Sequence, residues 1–310
     1  MQLFPTPDNP LPDGAVCVAL KTDDGIRLRA MRAGPRQARG TVVILGGRGD
    51  FMERYFETAG DLIARGYHVA SVDLRGQGGS ERLLDDPLRS HVTSFKGYDT
   101  DVRTLMRDLV IPHCPAPHFA LGHSTGGHVL LRLLRRDRLF ARVVVCSPLL
   151  GILYGKWPRP VASLLVFLAC SLGLGWLYLP GQRKRPLGRS DFGVYPLTSD
   201  RRRWQRDSGI LEVSPQLGVG APTFGWLRAA RRSVAALRWL GRHSRLTAPV
   251  LILAAGADRI VSNEAIKAFA ARVPGVALCI IPGAQHELLA ENSAIRQEVL
   301  AAIDSYLGTA

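Results

Sequence analysis

Within FALGHSTGGHVLLRLL, Phe119 to Leu134, the residues Gly122-His123-Ser124-Thr125-Gly126 set a serine between glycines at the spacing G-x-S-x-G. A serine held on a sharp strand-to-helix turn lifts its hydroxyl from the carboxyl edge of a sheet, where it can act as a nucleophile. The pattern alone is weak. With 32 glycines in 310 residues, chance supplies it in roughly one chain of this length in six, and a serine before a helix is also an ordinary N-cap. The decision rests on partners, because a serine hydroxyl attacks a carbonyl only when a base takes its proton and an acid orients that base.

Both partners follow in the order Ser, Asp, His. PVLILAAGADRIVS places Asp258 in a loop after one apolar run, and ALCIIPGAQHELL places His286 in the loop after the next. Alone, an Asp in a Gly-Ala-Asp loop is a turn former and a loop histidine is commonly just exposed. Together, each beyond a late strand and in that order, they favour a triad of Ser124, Asp258 and His286. Other histidines compete poorly: His68 opens a strand, His113 and His118 flank a Pro-containing connection, His128 lies within a helix, and His243 falls in a basic segment. His123 is expected to line the elbow.

Acyl transfer also needs two N–H donors for the oxyanion. The Thr125 amide is the expected first donor. The second is expected from GGRGDFMERY, where Gly46, Gly47 and Gly49 let the backbone turn inward and the Arg48 amide is the chosen donor. A phosphate-loop reading is weaker, since neither G-x-G-x-x-G nor G-x-x-x-x-G-K-S/T is present.

These residues need a frame to hold them. β-type runs at Ala15–Leu20 and Ile26–Ala30 precede a fully apolar one at Thr41–Leu45. Strands at Tyr67–Val72, His118–Leu121, Ala141–Ser147, Pro249–Ala254 and Val276–Ile281 then alternate with helical patterns at Phe51–Arg65, Lys96–Leu109, Thr125–Arg136, Asn263–Arg272 and Ser293–Leu307. Apolar runs that do not alternate, separated by amphipathic helices, predict an α/β fold with a mostly parallel sheet of eight strands covered on both faces. The first pair of strands is expected to be antiparallel.

Between Gly151 and Leu246 the alternation fails. This segment holds 16 basic and 4 acidic residues, a net of +12 out of the chain's +14. It also contains the uncharged run PVASLLVFLACSLGLGWLYLPGQ, Pro160 to Gln182, flanked by QRKRPLGR and DRRRWQR. Residues 151–246 therefore predict a basic, partly apolar cap inserted between core segments 1–150 and 247–310, over strand ends where open α/β sheets bind ligands. The run is long enough to raise a transmembrane helix, since about 20 apolar residues span a bilayer. Ser163, Ser171, Gly173 and Gly175 weigh against one, and a lid helix facing acyl chains or a membrane interface is the favoured reading. The arginines suit an anionic membrane surface, a phosphate head group or simple solvation. Nucleic acid is not an expected partner, because no recognised nucleic-acid module accompanies the charge.

Five scattered cysteines without C-x-x-C spacing read as free thiols in a reducing compartment, with no zinc site implied. The start MQLFPTPDNPLPDG has neither a basic n-region nor an apolar h-region, so a secretory signal is not expected and cytoplasmic placement is, with peripheral contact at the inner membrane surface through the cap.

With these residues in hand, the chain resembles the α/β-hydrolase superfamily, and within it the monoacylglycerol lipase and bacterial lysophospholipase group of serine hydrolases. DLRGQGGS, Asp73 to Ser80, matches that group's Asp-x-Arg-Gly-x-Gly-x-Ser stretch, and RLLDDPLRSHV, LTSDRRRW and HELLAENSAIRQEV look like the lysophospholipase branch. The resemblance implies an eight-stranded sheet with a cap, the triad Ser124, Asp258 and His286, no metal or organic cofactor, and single-chain acyl esters as substrates. It also implies that the arginine and glycines of DLRGQGGS brace the floor of the site. Where the group has His-Gly-x-Gly, this chain has Gly46-Gly47-Arg48-Gly49, which removes a side chain that would brace the oxyanion loop. Thioesterase, perhydrolase and carbon–carbon hydrolase chemistry use the same triad. The alternative from another class is a hydrolase-fold protein without turnover that binds membranes or a partner through its basic cap.

Overall fold

The structure is a computed structural model that describes residues 1–153, 159–180, 192–193, 197–241 and 243–308. One eight-stranded sheet runs in the order β1-β2-β4-β3-β5-β6-β7-β8. The strands are β1 (Val16–Lys21), β2 (Arg27–Ala33), β3 (Thr41–Leu45), β4 (His68–Val72), β5 (His118–His123), β6 (Arg142–Cys146), β7 (Val250–Ala255) and β8 (Val276–Ile281). β2 pairs antiparallel with both β1 and β4, and every later pairing is parallel. The expected antiparallel start thus extends one pairing further.

β7 is apolar and β3 is apolar after Thr41, and both are fully buried because helices cover both faces, whereas β8 at the sheet edge is partly exposed. Along β3 the period of two sends Val43 and Leu45 to one face and Val42 and Ile44 to the other. The first face carries α2 (Lys96–Leu105), α4 (Thr125–Leu133), α7 (Phe224–Arg238) and α8 (Asn263–Arg272). The second carries α1 (Phe56–Ala64) and α9 (Ser293–Gly308). The single helix expected over Phe51–Arg65 is a 3₁₀ turn at Met52–Tyr55 followed by α1. The helix begun by α2 widens into a π turn at Met106–Val110 before the short α3 (Ile111–His113), which contains Pro112.

Between β6 and β7 lie α5 (Arg159–Ser171), α6 (Arg201–Val213) and α7. The arginine-rich 183–189 stretch lies outside the described residues. At 13 residues, α5 is about 20 Å long, short of the roughly 30 Å hydrocarbon thickness of a bilayer. The apolar run is broken at Gly173, whose φ of 75° gives the left-handed turn that ends helices. There Leu174 N–H bonds the Ala169 carbonyl at 2.8 Å. No helix among the described residues is long and apolar enough to cross a membrane.

One buried ion cluster ties the antiparallel edge to the core. Arg29 on β2 is 2% exposed and contacts Glu53 at 2.7 Å and Asp73 at 2.6 Å, both carboxylates being at most 1% exposed. Asp73 also accepts the Met52 and Gly79 amides at 2.8 and 2.6 Å. Burial and the neighbouring Asp73 push the Glu53 carboxyl up, against the pull of Arg29. Removing one partner of such a cluster strands buried charge, which costs about 3–5 kcal/mol. Arg29→Met should therefore lose about that much in denaturant unfolding, and an unchanged midpoint would contradict the assignment.

Candidate active site

The turn between β5 and α4 is built by exclusion of side chains. A Cβ on Gly126 would meet the Leu45 carbonyl oxygen at 2.3 Å, and one on Gly122 would meet Gly127 Cα at 2.8 Å. Only glycine fits either position, so the ends of β3 and β5 close on each other. Ser124 takes φ 50° and ψ −111°, a strained conformation for a residue with a side chain. Its N–H bonds the Cys146 carbonyl at 3.0 Å, and its carbonyl accepts the His128 and Leu149 amides at 3.0 Å. Ser124 stands at the N-cap position of α4, yet its side chain makes no capping bond. The helix-cap explanation of this serine therefore fails.

Asp258 follows β7 and His286 follows β8. His286 Nδ1 lies 2.8 Å from Asp258 Oδ2, with the two side chains 4% and 0% exposed. The other oxygen, Asp258 Oδ1, accepts the Ile260 and Val261 amides at 2.8 and 3.0 Å. Burial opposes the charge on Asp258, but the bond and charge of His286 and the two amides outweigh it and hold the carboxyl below its usual range. The His286 ring lies 4.8 Å from the His123 ring, centroid to centroid. His123 thus lines the elbow as expected, and burial followed by repulsion from His286 pushes it down to about 3, leaving it neutral.

The loop after β3 reaches Ser124: a Cβ on Gly47 would sit 3.2 Å from Ser124 Cβ. Its amides are sorted by neighbouring side chains. Gly47 N–H donates to Asp50 Oδ2 at 2.6 Å and Gly49 N–H to Gln77 Oε1 at 3.2 Å. Gln77 Nε2 returns bonds to the Gly47 and Asp50 carbonyls at 2.8 and 3.0 Å. Asp50 and Gln77 therefore brace this loop where the His of His-Gly-x-Gly is missing. Arg48, between the two glycines, fixes its guanidinium to the Gly220 carbonyl at 3.1 Å and lies 5.4 Å from the Trp226 ring centroid. Thr125, at the first turn of α4, has an amide with no acceptor within its own helix, as first-turn amides do.

Arg75 of DLRGQGGS pairs with Asp101 at 2.8 Å and Asp24 at 2.6 Å, and Gln77 of the same stretch holds the loop after β3. Of the arginines of DRRRWQR, Arg203 holds Glu57 on α1 at 2.7 Å, and Arg206 bonds Glu57 and, at 2.9 Å, Asp207. Sequence reading also missed Arg54 and Glu287, whose carboxylate and guanidinium meet at 2.6 Å. Glu287 stands next to His286, and that adjacency was the one available signal.

Fold and elbow together place the chain among the α/β-hydrolases. Within them, residues 36–293 match the family described as "Serine aminopeptidase, S33", and the chain belongs to that family. Lysophospholipase L2 of Escherichia coli K12 is 30% identical over 298 residues, covering 90% of this chain and 84% of that one. The probable lysophospholipase L2 of Haemophilus influenzae is 27% identical over 271 residues, covering 87% and 84%. The fold is shared with the monoacylglycerol lipase of Paleococcus ferrophilus, with a TM-score of 0.69, 22% identity and coverage of 90% and 98%. It is also shared with a soluble variant of the Saccharomyces cerevisiae monoglyceride lipase bound to a substrate analog, with a TM-score of 0.74, 18% identity and 99% of each chain covered.

The carboxylates set an acid limit on the fold. Burial opposes ionisation of Asp50, yet Arg54 and the other groups around it hold it at about 2. Arg203 and its neighbours do the same for Glu57, also about 2. Both folded values lie below the ordinary ones of 3.8 and 4.5, so their stabilisation is present above about pH 4 and is lost as pH falls toward 2. Thermal melts should show Tm dropping across that window, and the drop should be shallower in Asp50→Asn; a flat Tm would refute the linkage.

Proposed function

We propose that this protein is a serine hydrolase that cleaves carboxylic esters of single-chain lipids, lysophospholipids or monoacylglycerols, through an acyl-enzyme on Ser124. The observations that carry the reading are the buried Asp258–His286 bond and a strained serine, ahead of them in the chain, that caps nothing. With Nδ1–H donated to Asp258, Nε2 of His286 is the base that removes the Ser124 proton. Ser124 Oγ then attacks the acyl carbonyl, and the Arg48 and Thr125 amides hold the oxyanion. Collapse breaks the ester bond, and the proton on His286 passes to the departing glyceryl oxygen. Water, deprotonated by the same imidazole, attacks the acyl-enzyme and releases the fatty acid with regeneration of Ser124. The substrate class follows the relatives named lysophospholipases and the apolar cap.

The cap, residues 151–246, is the substrate-facing unit between core segments 1–150 and 247–310. On α5, Leu164, Phe167 and Leu168 are 58%, 60% and 45% exposed, and beyond it Leu172 is 73% exposed. Such a face suits contact with lipid acyl chains or a membrane interface, and the basic balance of the cap suits an anionic leaflet. The five cysteines are unpaired, in keeping with the reducing cytoplasm, so the inner membrane surface is the proposed place of action.

A fluorophosphonate probe should label the wild type and not Ser124→Ala, with hydrolysis of lysophospholipid falling by about 10⁴-fold or more in the variant; a folded wild type that takes no label would sink the enzyme reading. Raising salt should weaken association with anionic vesicles and leave hydrolysis of a small soluble ester nearly unchanged, whereas salt-insensitive vesicle binding would remove the electrostatic part.

A further inference from the structure

Beside the elbow, Arg54 meets carboxylates from three separate segments. Its Nη1 bonds Asp50 in the oxyanion loop, its Nη2 bonds Glu287 Oε2 at 2.6 Å, and its Nε bonds Asp207 Oδ2 on cap helix α6 at 3.1 Å. The Arg54 side chain is 19% exposed, and the three carboxylates are 6%, 10% and 8% exposed. Each carboxylate passes the constraint on. Asp50 Oδ2 fixes the Gly47 amide at 2.6 Å and the Tyr55 hydroxyl at 2.7 Å, so it sets the peptide next to Arg48. Glu287 directly follows His286, and its own N–H bonds the Leu197 carbonyl at 2.8 Å. Asp207 Oδ1 takes the Arg206 guanidinium at 3.0 and 2.9 Å.

We propose that Arg54 is a positioning residue for ester hydrolysis, holding the oxyanion loop, the histidine loop and cap helix α6 in one register. The inference rests on Ser124 and His286 being nucleophile and base. Because every guanidinium nitrogen is engaged by a protein carboxylate, Arg54 is not a receptor for a substrate phosphate. The planar fork of arginine reaches three acceptors in different directions, which the point charge of lysine does not reproduce. Arg54 also offsets charge at this place: Asp50, Tyr55, His123, Asp207 and Glu287 line the same pocket, Arg206 pairs with Asp207, and Asp258 lies behind His286. Without Arg54, the Asp50, Asp207 and Glu287 carboxylates beside His123 lose the cation they share, and among the described residues Arg206 is the cation still paired with one of them, Asp207. Uncompensated negative charge favours a protonated base, and loss of the fork loosens both loops that the transition state uses.

The test is a steady-state pH series, about pH 5 to 9, with a soluble p-nitrophenyl ester on wild type, Arg54→Lys and Arg54→Gln, with Tm as a check on folding. Arg54→Lys keeps the charge and should lower kcat about 10-fold, with KM within about twofold and the acid limb in place. Arg54→Gln should lower kcat about 10- to 100-fold and move the acid limb to higher pH. Wild-type kcat in both folded variants, a rise in KM alone, or a stationary acid limb in Arg54→Gln overturns the proposal. If Arg54→Gln does not fold, Glu287→Gln decides: it removes one negative charge beside His286 and should lower kcat while moving the acid limb to lower pH, and a wild-type profile overturns the proposal. Absence of fluorophosphonate labelling in the wild type would instead condemn the reading of Ser124, which keeps the two failures distinct.

Discussion

Everything at this site depends on a close approach of backbone to backbone. Gly126 presses against the carbonyls of Leu45 and Gly46 with no room for a Cβ, so the end of β3 and the turn after β5 share one small volume. That contact brings the glycine loop to Ser124, whose φ is positive. The strain is sustained because backbone bonds to β6 and to the chain after it fix both sides of the serine peptide. Parallel strands make this possible, since β3, β5, β7 and β8 all end at the same edge.

Around that contact the molecule relies on carboxylates rather than on a histidine to set the loop after β3. Asp73 joins the loop to β2 through Arg29, and Asp50 joins it to Arg54. Each carboxylate accepts backbone amides as well as a guanidinium, so charge and geometry support each other. Pairs of this kind are poor sources of net stability but strong guarantors of one arrangement, because any other leaves a buried charge unpaired. Helix α6 is held by the same chemistry through Arg203, Arg206 and Asp207. α5 differs: it keeps Val166 buried against the protein and turns Leu164 and Phe167 outward. One helix between β6 and β7 is thus tied to the core by ion pairs while another presents an apolar surface.

How much of this was legible in the sequence differs by element. The apolar runs of β3, β6 and β7 announced a covered parallel sheet, since a strand buried on both faces has no polar alternation to lose. The bounds of β3, α8 and β8 fall where their runs begin and end. Ser124, Asp258 and His286 could be ordered along the chain because each follows a strand at the same sheet edge. The helix around Phe51 was less legible, because its start is set by Asp73 capturing the Met52 amide from a distant strand end, not by a local cap.

The chain's residues therefore determined the sheet, its helices and the order in which Ser124, Asp258 and His286 follow its strands, because these follow from periodicity and from the small set of residues tolerated at a tight turn. Only the tertiary structure decided which polar side chains act together. Arg54 bonds Asp207 and Glu287, far away in the chain, and Gln77 holds a loop that precedes it by a whole strand and helix. An arginine's chemistry is the same wherever it stands; its partner is fixed by folding, so a run such as DRRRWQR looks like free surface charge until Glu57 is placed opposite it.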